Sequence, residues 1–371
     1  MVPVQSRIFP LISFLSKRTM STGPDVLFQT THNAEIITLN RSKALNALNT
    51  SMVDKLLSQL RKMENKRSLV IIKGDGTSKA FCAGADIKVV FDTVECYSFV
   101  SKLYNICYLL GNYKIPCVSL LNGIAMGGGL CMSVHGRYSV ATENSIVAMP
   151  ETKIGYFPDS GGSYFLPRLP LNLGFYMGLT GATLKGKDAV KAGIATHFVP
   201  SKRLHELEEL LTRCTNDLEV QNLLNKFNEP IDEYSFAPNI KYISDCFAAS
   251  TVEEIIERLK KVQNESSIKT LETLHLMSPT ALKVTLNTLQ RGAQLDLPEC
   301  LKMEYRVACR SFISHDASEG VRALLVDKDN KPQWEPKTLA EVDNDTVESY
   351  FKTLPQEKEL KFFDEFLDAK L

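Results

Sequence analysis

In the run Cys117-Val118-Ser119-Leu120-Leu121-Asn122-Gly123-Ile124-Ala125-Met126-Gly127-Gly128-Gly129-Leu130, a short apolar segment gives way to glycine where a helical pattern begins. The apolar half predicts a strand over Cys117–Asn122, since a brief apolar run bounded by turn signals suits a strand covered on both faces. In the glycine half, backbone without Cβ atoms can turn sharply and bring its amide N–H groups close to a ligand. At a helix start those amides lack intrachain acceptors and carry the positive end of the dipole, so they favour an anion.

Two further patches share this composition. Ala80-Phe81-Cys82-Ala83-Gly84-Ala85-Asp86-Ile87 follows a predicted strand at Leu69–Lys73. The other is Met149-Pro150-Glu151-Thr152-Lys153-Ile154-Gly155-Tyr156-Phe157-Pro158-Asp159-Ser160-Gly161-Gly162. One glycine patch alone is explained by a tight turn. Three in series, with acids in the third, point to a site, and two such loops facing each other would form an oxyanion hole from main-chain N–H groups.

Around these patches, strands are predicted at Val26–Thr31, Ala34–Asn40 and Thr196–Pro200, and a helix over Thr50–Glu64, where Met52, Leu56, Leu57 and Leu60 recur at helical spacing. Strands separated by helical stretches indicate an α/β layer with crossover connections. From about Thr215 the chain is poor in glycine and helix-like. Ser278-Pro279 predicts a capped helix start, with Leu282, Leu286 and Leu289 on one face and Gly292 at its end. Further helices are expected over Leu297–Ser314 and from the Thr251 cap, while Val220–Ile243 reads as an irregular surface connection. The division that follows is a leader over 1–24, an α/β core over 25–214 and a helical region over 215–371.

The chain has 371 residues, 44% hydrophobic and 23% charged, which is ordinary for a globular protein of one large domain or two. Its 43 basic side chains balance 43 acidic ones, so no global positive field favours nucleic acid as a partner. No run approaches the roughly 18 to 20 apolar residues of a membrane span. The nine cysteines are scattered and never form C-x-x-C, which suits free thiols in a reducing compartment rather than disulfides or zinc. The six histidines show no metal spacing, and His135 reads as a satisfied core residue. In the leader, Arg7, Lys17 and Arg18 are the only charges before Asp25, and Ile8, Leu11, Ile12 and Leu15 form an apolar stripe. That is the pattern of a mitochondrial presequence and predicts the matrix as destination.

Asn40-Arg41…Asn46-Ala47-Leu48, Ala83-Gly84-Ala85-Asp86, Asn122-Gly123…Gly127-Gly128-Gly129, Pro150-Glu151 and Gly161-Gly162 together resemble the crotonase (enoyl-CoA hydratase/isomerase) superfamily. Tyr164-Phe165-Leu166-Pro167-Arg168-Leu169, Met303-Glu304-Tyr305-Arg306 and Glu319-Gly320-Val321-Arg322-Ala323-Leu324-Leu325 are similar to its branch of 3-hydroxyacyl-CoA thioester hydrolases. The resemblance implies a ClpP/crotonase-like spiral of ββα units with a helical C-terminal region. It further implies an acyl-CoA substrate whose carbonyl lies between the Ala85 and Gly128 amides, with Glu151 as nucleophile or general base. Asp159 would meet the β-hydroxyl of the substrate or orient a water. Ala83, Asp86, Ile87 and Lys43 are the candidates for coenzyme A contact. No metal is expected, and no cofactor beyond the coenzyme A that the substrate carries. The implied reaction is cleavage of 3-hydroxyisobutyryl-CoA to 3-hydroxyisobutyrate and CoA in valine degradation, with 3-hydroxypropionyl-CoA as a second substrate. Because the superfamily often trimerises, a homo-oligomer is an open expectation.

Hydratases of the superfamily carry a second glutamate two residues past the glycine triplet, and Cys131 occupies that place here. A hydratase needs paired carboxylates to deliver and recover a proton, so the loss favours hydrolysis over an enoyl-CoA hydratase or isomerase. Cys131 itself reads as packing. A non-catalytic, mitochondrial ribosome-associated homologue is the remaining alternative, opposed by the retained Glu151 and Asp159 and by the neutral charge balance. One departure concerns specificity: where the branch has an acid immediately before the tyrosine aligned with Tyr104, this chain has Leu103. Two patterns are set aside. Gly181–Lys187 lacks the Ser/Thr of a phosphate loop and is followed by Asp188, and Asp327-Lys328-Asp329 lacks the glycine of a calcium loop.

Overall fold

The computed structural model describes residues 23–64, 66–87, 95–231 and 234–363, so the presequence pattern, apart from its last two residues, lies outside the described residues. Two sheets organise the first half. The larger runs in the order β1 (Val26–Thr31), β2 (Ala34–Leu39), β3 (Leu69–Gly74), β5 (Cys117–Leu121), β7 (Tyr138–Ala141) and β10 (His197–Phe198). The smaller runs β4 (Ala80–Cys82), β6 (Ile124–Met126), β8 (Ile146–Ala148) and β9 (Leu184–Lys185). Among the described residues only β1 with β2, and β8 with β9, pair antiparallel. The successive pairs β3/β4, β5/β6 and β7/β8 each place one strand in either sheet before the chain turns into a helix. This is the α/β spiral of ββα units expected above.

Period-two side-chain alternation explains why the inner strands of the large sheet are buried on both faces. Along β3, Leu69 and Ile71 meet a core built with the helices Leu204–Leu211 and Asp217–Phe227, whereas Val70 and Ile72 meet the core shared with the Thr50–Met63 helix. Each such side chain contributes roughly 1.5–3 kcal/mol of burial. The Thr50–Met63 helix starts where Asn49 Oδ1 accepts the Met52 amide at 2.8 Å. The predicted Thr196–Pro200 strand contracts to His197–Phe198, although the Thr196 and Val199 amides still bond to Ser139 and Ala141 on β7.

The second half is helical, with two corrections. The region expected to be an irregular connection begins with a helix, Asp217–Phe227, capped by Asn216 and burying Val220, Leu224 and Phe227 on one face. The polar residues between these three positions masked their helical spacing. The helix expected to reach Ser314 stops at Ser311, because Ser314 is itself the cap of the next helix, His315–Val321, accepting from the Ala317 amide. The Pro279–Gly292 helix starts as read, with Ser278 Oγ accepting from the Ala281 amide at 3.0 Å. Val284, Leu289, Leu301 and Val307 of these helices belong to the same core as Ala125, Leu130 and Val147 of the sheet-bearing half. No helix among the described residues is long and apolar enough to cross a membrane.

One buried amide ties the glycine loops to this frame. Asn46 is fully buried, and its Nδ2 donates to the Ala80 and Phe81 carbonyls at 2.8 and 3.1 Å, while its Oδ1 accepts from the Arg41 amide at 2.8 Å. Its φ of 56° is left-handed, a region asparagine enters more readily than most residues. Asn46→Ala removes all three bonds and is expected to lower the unfolding free energy by about 2–4 kcal/mol, read from urea denaturation. A loss below the scatter of ordinary surface substitutions would show that β4 is held by something else.

Candidate active site

Each predicted loop reaches the site for a local reason. Residues 83–86 are sewn on one side to 45–48: Ala83 N donates to Leu45 O at 3.0 Å, Leu48 N to Gly84 O at 2.8 Å, and Asp86 N to Leu48 O at 2.8 Å. Arg41 braces the same turn by pairing with Asp86 at 3.0 Å and donating to the Ala47 carbonyl. Ala85 N–H is left facing away from this ladder, and among the described residues it donates to no backbone carbonyl. The glycine triplet forms a 3-10 turn, Gly127–Gly129, straight after β6. Gly84, at φ 101°, passes so close that a Cβ there would lie 3.0 Å from Met126 O and 3.8 Å from Gly128 N. A Cβ on Gly128 would likewise lie 3.8 Å from Ala85 N. The two amides are therefore neighbours, brought together from different strands.

Gly127 has φ 51°, and a Cβ there would run into Glu151 Oε1. The space that the missing side chain leaves is where the carboxyl of Glu151 rests. Glu151 opens a 3-10 turn after Pro150 and is 8% exposed; its Oε2 has no hydrogen-bond partner among the described residues. Burial pushes its pKa well above the ordinary 4.5, and the Asp159 charge adds to the rise. Asp159 is as buried but well partnered: it accepts from Tyr104 Oη at 3.0 Å, Tyr156 Oη at 3.5 Å and Ser160 Oγ at 3.1 Å. Burial raises its pKa to about 6, against the Tyr104, Ser160 and Tyr156 hydroxyls that hold it down. Both tyrosines are pushed well above 10, first by burial, and stay protonated as donors.

Ala85, Gly128, Glu151 and Asp159 line one cavity of about 290 Å³. Its apolar wall includes Leu103, from the Cys96–Gly111 helix, and Phe312, Leu324 and Leu325 from the C-terminal helical region. Of the candidates for coenzyme A contact, Ala83 and Ile87 line this cavity. Asp86 does not, its carboxylate being engaged by Arg41, and Lys43 lies exposed on the Ser42–Ala44 turn. Cys131 is buried and does not reach the cavity. The two patterns set aside are structural: the Asp188 carboxylate receives the Ser235 amide at 2.9 Å, and Asp327 and Asp329 each accept from Arg322 at 2.7 Å. Among the described residues no cluster of three or more His, Cys, Asp or Glu could hold a metal.

Sequence reasoning missed the residues behind the site. Tyr104 and Tyr156 hold Asp159. Glu304, buried completely, accepts from the Gly161 and Ser163 amides at 2.8 Å each and from Ser163 Oγ at 2.6 Å. Burial raises its pKa to about 8, against the Ser163 and Gly161 bonds. Glu304 and Tyr156 both stood inside quoted motifs, which was the available signal, but nothing local indicated what they touch.

A family model described as enoyl-CoA hydratase/isomerase matches residues 34–351. The chain belongs to this family. Within it, the chain is 43% identical over 353 residues to a Danio rerio protein named 3-hydroxyisobutyryl-CoA hydrolase, mitochondrial, covering 91% of this chain and 92% of that one. It is 45% identical over 335 residues to a protein of the same name from Xenopus tropicalis, covering 86% and 87%. A solved family structure, a carnitinyl-CoA dehydratase from Mycobacterium thermoresistibile, superposes with a TM-score of 0.86 at 36% identity, covering 92% of this chain and 99% of that one. All three glycine loops and the Glu304 helix lie inside the matched residues.

Because folding raises the Glu151 pKa, its ionisation costs stability above the unfolded-state value near 4.5 and nothing below it. Glu151→Gln is expected to melt at a higher temperature than the parent at neutral pH, by about 2 °C or more. The gain should disappear as the pH falls below 4.5. Thermal melts at both pH values check this, and equal melting at neutral pH would count against a strained carboxyl.

Proposed function

We propose that the protein is a thioester hydrolase of the mitochondrial matrix, cleaving 3-hydroxyisobutyryl-CoA to 3-hydroxyisobutyrate and CoA and accepting 3-hydroxypropionyl-CoA as well. The observation that carries this reading is the convergence of the Ala85 and Gly128 amides with the Glu151 carboxyl on one cavity. A thioester oxygen bound between the two amides becomes an oxyanion when its carbon is attacked. Preorganised N–H groups aimed at that charge lower the barrier, and losing one typically costs about 3 kcal/mol. Glu151 supplies the attack in one of two ways. Either its oxygen adds to the carbonyl carbon, expelling CoA thiolate and leaving a mixed anhydride that water opens, or it takes a proton from the water that adds directly. In both cases the C–S bond breaks, the acyl carbon ends bonded to the water oxygen, and the thiolate is protonated. Burial raises the Glu151 pKa, so activity should rise with pH as the carboxyl ionises, above the range of an ordinary carboxyl.

Asp159 gives the reading its substrate class. Its carboxylate faces the cavity with part of its hydrogen-bonding capacity free and is poised to accept from a β-hydroxyl. A plain acyl chain would leave that buried acceptor unpaired, so unhydroxylated thioesters should be poor substrates. Leu103 supplies apolar wall where the branch has an acid, and Asp159 is the group proposed to recognise the hydroxyl instead. Ala83 and Ile87, at the cavity lining, would meet the pantetheine end of the substrate. The names of the curated relatives support the hydrolase assignment and the mitochondrial address.

A second reading rests on a specific observation: Glu151 and Asp159 put two carboxyls on one cavity, as hydration would require, and the solved relative is named a dehydratase. A thiol reagent that reports free CoA separates the two. Release from 3-hydroxyisobutyryl-CoA is expected, and Glu151→Gln should lower it by about 1000-fold. Full activity in that variant would remove the mechanism, and hydration of crotonyl-CoA without thiol release would install the second reading.

A further inference from the structure

We propose that His135 and Glu304 grip one peptide unit, Ser160–Gly161, from its two ends and thereby position Asp159 for the β-hydroxyl. Ser160 carries a left-handed φ of 57° and Gly161 follows at 82°. A serine rarely holds such a conformation unless its surroundings over-determine it. Here they do. His135 Nε2 donates to the Ser160 carbonyl at 2.8 Å, and the Gly161 amide, the other end of the same peptide, donates to Glu304 Oε2 at 2.8 Å. Ser163 adds its amide and hydroxyl to Glu304 Oε1.

The two clamping side chains come from distant elements, His135 following the Cys131–Val134 helix and Glu304 lying within Leu297–Ser311. Neither lines the cavity, so they act through what they hold. Burial lowers the His135 pKa to about 4, so the ring is neutral at ordinary pH, and the bond to a carbonyl puts its single N–H on Nε2. Ser160 Oγ in turn donates to Asp159 Oδ1 at 3.1 Å. Rotation of the gripped peptide would carry the serine hydroxyl away and turn the Asp159 carboxylate from the direction that Tyr104 and Tyr156 share with it. The Cys107 thiol also reaches the Ser160 carbonyl, at 3.5 Å, but is a weak donor, so release of His135 or Glu304 loosens the peptide and the two residues should act as a unit.

This inference rests on the role proposed for Asp159, and the test separates the two. The ratio of kcat/KM for 3-hydroxyisobutyryl-CoA to that for isobutyryl-CoA, the same acyl group without the hydroxyl, is measured for the parent, Glu304→Gln, His135→Phe and His135→Gln. Glu304→Gln and His135→Phe should each lower the ratio by about tenfold, whereas loss of folded protein would lower both values alike. His135→Gln, which keeps an N–H donor, should restore most of the ratio. The double variant should be little worse than the more damaging single one. An unchanged ratio in both damaging variants, beside a clear preference in the parent, overturns the clamp alone. No preference in the parent sinks the role of Asp159 and the clamp with it. Should thermal melts show Glu304→Gln unfolded, the His135 pair carries the same comparison.

Discussion

A largely buried carboxyl at the wall of a cavity, beside a main-chain amide of Ala85 that donates to no backbone carbonyl among the described residues, is the constraint on which this structure depends. Glu151 occupies the space that Gly127 leaves open, and its Oε2 is unpartnered. Such a group raises the free energy of the folded state when ionised. It persists because neighbouring groups leave it no alternative. Strand β6 delivers the glycine turn, Pro150 starts the turn that carries Glu151, and the 45–48 ladder holds Ala85 opposite. Placing stored strain at the reacting centre is what a site needs if its chemistry is proton transfer or nucleophilic attack.

The helical region is part of this site rather than an appendage to it. Its apolar side chains share a core with the sheet-bearing half, Phe312, Leu324 and Leu325 close the cavity, and Glu304 reaches the loop that bears Asp159. The acidic pair beyond Leu325 serves the same end: Arg322 collects Glu319, Asp327 and Asp329 around the π-helical turn Arg322–Val326 that carries the two leucines. An exposed ion pair contributes little by itself, but here several converge on one guanidinium and fix the ends of a short turn.

Much of the frame was legible locally. The strands at Val26–Thr31 and Leu69–Lys73, the helix from Thr50 and the capped starts at Val252 and Pro279 follow from apolar periodicity and, at the last two, from side chains that accept amides within three residues. Short strands such as β4 and β8 were not legible, since three residues carry no period and exist only because a neighbouring strand pairs with them. The Asp217–Phe227 helix was hidden by the polar residues between its buried positions, and Ser314 was read as the end of one helix when its hydroxyl caps another.

By itself, the sequence determined where the backbone can bend, which residues can cap a helix, and which acids stand in glycine-rich loops. Those properties depend on Cβ sterics and on partners a few positions away. Only the tertiary structure decided that Ala85 N and Gly128 N are neighbours, that the buried His135 finds its partner in the Ser160 carbonyl, and that Glu304 meets the turn after Asp159. Desolvation and hydrogen-bond partnership belong to the assembled core, where contacts between distant residues decide the charge and direction of a side chain, and no local pattern encodes them.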